Sequence, residues 1–159
     1  MTNPQSSINW PDRFRPDKAP VHVRNELDMA AQPDKIWSAL IDASRWPDWY
    51  PNAKGVKIIS GGDRLAPGAR FRWTTFGATI DSEIAEFIPH ERIAWTGRAF
   101  GIDVYHAWLI APSAKGAYVV TEETQYGALA RLAAALLPGR MEKFHQIWLE
   151  NLEARAAAF

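Results

Sequence analysis

The sequence PDKIWSALIDASRWPDWYP at residues 33–51 decides how the rest of this chain is interpreted. An aspartate and a lysine open a short amphipathic helix, in which Ile36, Trp37 and Leu40 recur at helical spacing. After a turn comes a second short element, which carries the aromatic residues Trp46, Trp49 and Tyr50. Two brief helices with so many aromatic side chains cannot make a domain alone, so we expect them to pack against a larger structure.

The larger structure is predicted by seven segments in which apolar and polar side chains alternate. The alternation begins at Val21, returns at Val56 after the two helices, and continues to Tyr126, with glycine and proline residues at the turns. A strand that is half polar has one face in water, which is typical of antiparallel rather than parallel sheets. We therefore predict an antiparallel sheet of about seven strands.

The C-terminal segment from Ala128 has helical periodicity, with an interruption at Pro138 and Gly139. Before the break, the apolar stripe consists of Leu129, Leu132 and Leu136. After the break, it consists of Met141, Phe144, His145, Trp148 and Leu152. We expect both stripes to lie on the dry face of the sheet. This order of elements predicts an α+β helix-grip fold, in which a curved antiparallel sheet wraps around a long C-terminal helix, with two short helices after the first strand.

The chain is predicted to consist of a short arm and one domain. Residues 1–20 carry four prolines and few apolar residues, so we predict an extended proline-rich arm there and a ligand-binding domain over residues 21–159. The first residues also lack the basic flank and apolar run of a signal peptide. The element from Trp46 to Trp49 could serve as the gate of a pocket or as a dimer contact, so a homodimer is possible.

Composition limits the classes of function that the chain can have. Among its 159 residues, 18 basic residues balance 18 acidic ones, which argues against nucleic acid as a partner. The absence of cysteine fits a cytoplasmic location, and no apolar stretch reaches the roughly 20 residues of an integral membrane segment. Eight tryptophans exceed what a small core needs, and they indicate either a large aromatic core or a cavity lined with rings.

Three segments together resemble the START-like superfamily, specifically its polyketide cyclase/dehydrase and lipid-transport branch. They are residues 33–51, the sequence HAWLIAPSAKGAYVVTEETQYG at residues 106–127, and the closing helix from Ala128. The resemblance covers roughly residues 21–156 and implies a ligand-binding domain with a helix-grip fold. Carriers, sensors, cyclases and hydrolases share this scaffold, so the resemblance implies a ligand site without naming a reaction.

His106 is the strongest candidate for a polar site residue, because it lies on the more apolar side of its strand. A four-residue hairpin loop at residues 113–116 would place it opposite Glu123, whereas a five-residue loop would place it opposite Glu122. We prefer Glu123, whose carboxylate would hold one ring nitrogen and fix the tautomer. The pair could act as a general base with its orienting acid, donate a hydrogen bond to a ligand, or be a structural contact.

We expect the pocket to lie between the sheet and the C-terminal helix. Its predicted lining from the sheet consists of Phe71, Trp73, Ile84, Trp95, Val104 and Trp108, and its predicted roof consists of Met141, Phe144, His145 and Trp148. His145 could instead be a core residue bonded to a backbone carbonyl. The four histidines of the chain show no metal-ligand spacing, so we predict neither a metal nor another cofactor.

Two hypotheses of different class follow from these predictions. In the first, the protein binds a hydrophobic or aromatic small molecule, such as a lipid or a polyketide-like compound, without catalysis. In the second, it is a metal-free cyclase or dehydratase that uses His106 and Glu123 as an acid–base pair in the same pocket. We prefer the binding hypothesis, because it requires only aromatic rings and one or two hydrogen-bonding groups.

Overall fold

In the computed structural model, which describes residues 7–159, seven antiparallel strands form a sheet beside four α-helices. The first six residues of the predicted arm lie outside the described residues. The strands are β1 (Val21–Met29), β2 (Lys54–Ser60), β3 (Arg70–Thr75), β4 (Ala78–Ile88), β5 (Arg92–Ala99), β6 (Ile102–Pro112) and β7 (Ala117–Tyr126). The helices are α1 (Pro33–Ile41), α2 (Trp46–Trp49), α3 (Ala128–Leu136) and α4 (Arg140–Ala156). The predicted α+β helix-grip fold is confirmed.

The strand order explains why two helices follow the first strand. The order is β1-β7-β6-β5-β4-β3-β2, so consecutive strands β1 and β2 lie at opposite edges of the sheet. The segment with α1 and α2 must therefore cross the whole sheet, and both helices pack against α4 on the way. In this way residues 33–51 fasten the C-terminal helix to the sheet.

Trp46 lies at the centre of the core that joins α2, the sheet and α4. Its ring contacts four aromatic rings at centroid distances of 5.2–6.0 Å, namely those of Phe71, Trp73, Trp95 and Trp148. Its indole Nε1–H donates to the backbone carbonyl oxygen of Leu40 at 3.0 Å, which satisfies a buried donor. The expected exposed tip of this element therefore does not include Trp46, although the neighbouring Pro47 and Asp48 are exposed.

The segment before β1 packs on the outer face of β6 and β7. Phe14 is buried there, with its ring 5.6 Å from that of Tyr105, and its carbonyl oxygen accepts from the Thr124 hydroxyl at 2.8 Å. The Tyr126 hydroxyl donates to the carbonyl oxygen of Arg13 at 2.6 Å. These contacts cover the outer face of the strands, so much of β6 and β7 is buried on both faces.

α3 does not lie on the sheet, and that part of the prediction is wrong. Its leucine stripe is exposed, at Leu129, Leu132 and Leu136. Gly127, with a φ of 114°, directs the chain to the β5–β6 turn, where a Cβ would lie 2.1 Å from the carbonyl oxygen of Gly101. This close approach places the start of α3 at the end of the strands, and of the two C-terminal helices only α4 packs large apolar side chains against the sheet.

We predict that replacing Trp46 by alanine lowers the free energy of unfolding by about 3–5 kcal/mol, because the change removes a fully buried ring and leaves a cavity. Urea denaturation followed by circular dichroism measures the loss. Phe100→Ala is the control, since Phe100 is 95% exposed and its replacement should change the free energy by no more than about 0.5 kcal/mol. Similar small losses in both variants would contradict the central position of Trp46.

Candidate functional site

A cavity of about 550 Å³ lies between the concave face of the sheet and the helices α3 and α4. Trp73, Trp95 and Trp148 line it, and the same three rings contact Trp46 in the core. The solid aromatic core therefore ends where the cavity begins. The size falls within the roughly 300–1,000 Å³ of pockets that hold small organic ligands.

The structure places eight of the predicted site residues on the cavity. They are Trp73, Trp95, Val104, His106, Glu123, Met141, His145 and Trp148. They come from β3, β5, β6, β7 and α4, so residues that are distant in sequence meet at one surface.

Four residues that were expected to line the pocket lie elsewhere. Phe71 and Ile84 are buried in the aromatic core, where Phe71 packs against Trp46. Trp108 is stacked on the ring of His106 at 5.5 Å and does not line the cavity. Phe144 packs edge-on against Phe76 at 5.5 Å. The alternation along a strand shows which face a residue occupies, but it does not show how far along that face the core extends.

The sequence interpretation missed several parts of the lining. The helix α3 contributes Ala130 and Ala133, and the turn between β3 and β4 contributes Phe76. Val23 of β1 and Ile80 of β4 also line the cavity. The alanines recur at helical spacing beside the leucine stripe, so the signal for a lining helix was present in the small residues. A pattern based only on large apolar side chains does not reveal it.

The hairpin register is the one predicted from a four-residue loop. His106 pairs with Glu123 across β6 and β7, and its Nδ1 lies 2.9 Å from the Oε2 of that carboxylate. Its Nε2 lies 2.7 Å from the Oγ1 of Thr121, the neighbour of Glu123 on the same face. Glu122 points to the opposite face, where its carboxylate contacts His22 and Arg24 at 2.6 and 2.9 Å.

α4 adds a third titratable side chain to this pair. The Nε2 of His145 lies 3.4 Å from Glu123 Oε2, and the Gln125 amide donates to Glu123 Oε1 at 2.5 Å. Both imidazoles and the carboxylate are buried. Glu123 is therefore the centre of a polar cluster, which we call the Glu123 cluster and define as His106, Glu123, Gln125 and His145.

The pKa of Glu123 lies well below its usual value. Burial raises it, but the favourable charge and hydrogen bonds of His106 and His145 outweigh burial. Burial lowers the pKa of His106, against the opposing effect of the Glu123 carboxylate. At neutral pH the carboxylate is thus ionised, and burial favours the neutral form of His106. The Nδ1–H of His106 then donates to Glu123, and its Nε2 accepts from the Thr121 hydroxyl.

The same side chains could coordinate a divalent cation. Ligand atoms of His106, Glu123 and His145 lie within 4.8 Å of one another, and two imidazoles with one carboxylate suit zinc or iron. The spacing of the histidines along the chain gave no indication of this group, because its members come from two strands and one helix. The hydrogen bonds within the cluster account for the same short distances without a metal.

One nitrogen of the cluster has no hydrogen-bond partner among the described residues. It is the Nδ1 of His145, which is buried and belongs to a side chain that lines the cavity. A buried polar atom without a partner is costly in free energy, at about 1–3 kcal/mol. A bound molecule that offered a matching polar group would remove this cost.

None of the helices over residues 7–159 combines the length and the hydropathy that a membrane crossing requires.

The model of the family described as polyketide cyclase/dehydrase and lipid transport matches residues 20–157. A comparison with curated proteins finds no significant match.

Several solved structures are similar to this one. The hypothetical protein jhp0584 from Helicobacter pylori is 31% identical, with a TM-score of 0.89 and coverage of 98% of this chain and 99% of that chain. The Zhui aromatase/cyclase from Streptomyces sp. R1128 is 18% identical, with a TM-score of 0.71 and coverage of 86% and 93%. The di-domain aromatase/cyclase StfQ of steffimycin biosynthesis is 17% identical, with a TM-score of 0.69 and coverage of 87% and 51%. The last two similarities concern the fold alone.

We predict that Glu123→Gln makes the protein less stable at pH 7 by about 1–3 kcal/mol, because one end of the new amide is an NH₂ donor that must face the Gln125 amide donor or the imidazole N–H donors. The difference should shrink as the pH falls from about 5 to 3. The stability that a depressed native pKa contributes is complete above the unfolded pKa of about 4.3, and it declines as the pH falls from there toward the native pKa. Urea denaturation at pH 7, 5 and 3 measures it. A difference that stays constant over this range would show that the carboxylate charge does not stabilise the fold.

Proposed function

This chain belongs to the polyketide cyclase/dehydrase and lipid transport family, and on that premise we propose that it binds an apolar or aromatic small molecule in the cavity between the sheet and α4. The bound molecule would occupy a space of about 550 Å³, which suits a molecule of two to four fused rings or a lipid of similar bulk. Both the family and the aromatase/cyclase structures with the same fold support a role in hydrophobic ligand binding or cyclisation.

Apolar and polar groups are separated within the cavity, and this separation carries the proposal. Trp73, Trp95, Ile80 and Val104 provide apolar walls, whereas the buried charge is confined to the Glu123 cluster. Sites for small molecules typically combine such walls with a few polar groups that orient the ligand. A ligand with an apolar body and one polar end would match this arrangement.

The hydrogen bonds of the cluster indicate which polar end fits. An ionised Glu123 can only accept, so the Nε2 of His145 faces it with its proton. In a neutral imidazole the remaining Nδ1 is then an acceptor without a donor. A ligand hydroxyl would supply that donor, and we therefore propose an alcohol or a phenol as the polar end of the ligand.

We predict that the protein binds 2-naphthol at least about fivefold more tightly than naphthalene, because one net hydrogen bond contributes about 1 kcal/mol. Val104→Trp should weaken the binding of both compounds, since Val104 lines the cavity and a larger side chain would occupy part of it. Isothermal titration calorimetry gives the affinities.

The matched control is Ile59→Trp, which introduces the same ring at an exposed position of β2 that does not line the cavity. This variant should bind both compounds as the unchanged protein does. Unchanged binding in Val104→Trp would contradict the proposed location of the ligand. Equal affinity for naphthalene and 2-naphthol would contradict a hydroxyl as the polar end of the ligand. Mass spectrometry of molecules extracted from the native protein would then identify its natural ligand.

A second candidate function is acid–base catalysis in the same cavity. It is favoured by one observation, the contact of a single carboxylate oxygen with both His106 and His145 at 2.9 and 3.4 Å. Such a group could remove a proton next to a carbonyl and return a proton to a departing hydroxyl, so that a β-hydroxy ketone loses water and becomes an enone. The binding function needs no such transfer.

The dehydration of 4-hydroxy-4-phenylbutan-2-one separates the two candidates, because the conjugated enone product absorbs in the ultraviolet. If the protein only binds its ligand, we expect the dehydration rate to equal the rate in buffer alone, both for the protein without substitution and for Glu123→Gln. Acceleration that Glu123→Gln abolishes, while 2-naphthol still binds, would favour the catalytic function. Acceleration that persists in this variant would place the reaction outside the Glu123 cluster.

A further inference from the structure

Large apolar side chains on α3 and just after it are exposed. Leu132 and Leu136 are 53% and 69% exposed, and Leu129 and Leu137 are also exposed. The adjacent side of the helix, with Ala130, Ala133 and Ala134, lines the cavity. A helix at the surface of a globular protein normally has the reverse arrangement, with its large apolar side chains toward the core.

A neighbouring turn extends this apolar surface. Phe100, in the turn between β5 and β6, is 95% exposed, the highest exposure of the large apolar residues in the described part of the chain. Its neighbour Gly101 accepts a hydrogen bond from the backbone N–H of Leu129 at 3.2 Å, so the turn lies beside the start of α3. We call the exposed side chains of Phe100, Leu129, Leu132, Leu136 and Leu137 the α3 face.

The segment that carries the leucines of the α3 face is basic. Between Glu123 and Glu142 the sequence contains no acidic residue and two arginines, Arg131 and Arg140, both exposed. The balanced charge of the whole chain therefore conceals a basic and apolar segment at one side of the cavity. Helices with large apolar side chains and arginine lie in the interface of anionic bilayers.

We propose that the α3 face docks on an anionic lipid bilayer. Leu129 and Leu137 belong both to this face and to the lining of the cavity, so the bilayer would contact the wall of the ligand site. An apolar molecule could then pass between bilayer and cavity without crossing water. The transfer of a ligand between bilayer and cavity rests on the proposed function, but the docking of the α3 face depends only on its exposed side chains and their charge.

The charges favour a bilayer over a second copy of this chain. A twofold symmetric dimer through the α3 face would bring the same patch of both copies together. Arg131 of α3 would then approach the same arginine of the other copy, and residues 124–141 contain no carboxylate to compensate. Anionic head groups provide the compensating charge, and the acyl region accepts the leucines and Phe100.

Vesicle flotation tests the proposal with the full chain. Unilamellar vesicles of phosphatidylglycerol and phosphatidylcholine in equal amounts should bind the protein in 0.1 M salt. The double variant Leu132→Ser, Leu136→Ser should lower the partition coefficient at least tenfold, and Arg131→Gln should lower it about fivefold, the effect of one basic residue at an anionic surface. Vesicles of phosphatidylcholine alone should bind less of the protein, and Arg131→Gln should not change the partition coefficient on these uncharged vesicles.

Ile59→Ser is the matched control, because Ile59 is 55% exposed on β2 and lies outside the α3 face. It should bind vesicles as the unchanged protein does. Absence of vesicle binding, or equal binding of the double variant, would overturn the proposal. A dimer in sedimentation velocity that the double variant dissociates, without vesicle binding, would overturn it in favour of a contact between copies.

The binding of 2-naphthol by the double variant separates this proposal from the proposed function. Leu132 and Leu136 do not line the cavity, so the affinity for 2-naphthol in solution should be unchanged. Loss of vesicle binding with unchanged affinity supports docking through the α3 face. If the unchanged protein binds 2-naphthol but no vesicles, the docking proposal is wrong and the ligand-binding function stands.

Discussion

The packing of Trp46 against the sheet and α4 is the contact on which the rest of this structure depends. Its ring lies among Phe71, Trp73, Trp95 and Trp148, and it closes the space between a curved sheet and a straight helix at one end only. A curved surface and a straight cylinder cannot stay in contact along their full length. The tryptophans fill the near part of the gap, and the cavity is the part that they leave open.

A buried ionised carboxylate in apolar surroundings requires compensation, and the arrangement around Glu123 provides it. Two imidazoles and an amide donate to its two oxygens, and Thr121 holds the far side of His106. The cluster therefore has a structural role whatever its chemistry. Within the Glu123 cluster, only the Nδ1 of His145 remains without a partner among the described residues, and it gives the cavity a polar end.

The same gap between sheet and helix explains the unusual position of α3. A helix that covers a cavity instead of a packed core gains little from large inward side chains, because they would fill the ligand space. Alanines on the inner side leave the cavity open, and Leu132 and Leu136 are left on the outer side. The exposed apolar surface and the cavity are thus two consequences of one geometry.

Local periodicity in the sequence determined the strands, the helices and the break at Pro138, and it favoured Glu123 over Glu122 as the partner of His106, because alternation and loop length act between neighbouring residues. The tertiary structure alone decided which inward-facing residues fill the core and which reach the cavity, as Phe71 and Trp73 illustrate on one strand. It also brought His145 to Glu123 and turned the leucines of α3 outward. These outcomes depend on the angle and depth at which helices dock on the sheet, and packing across distant elements sets both quantities.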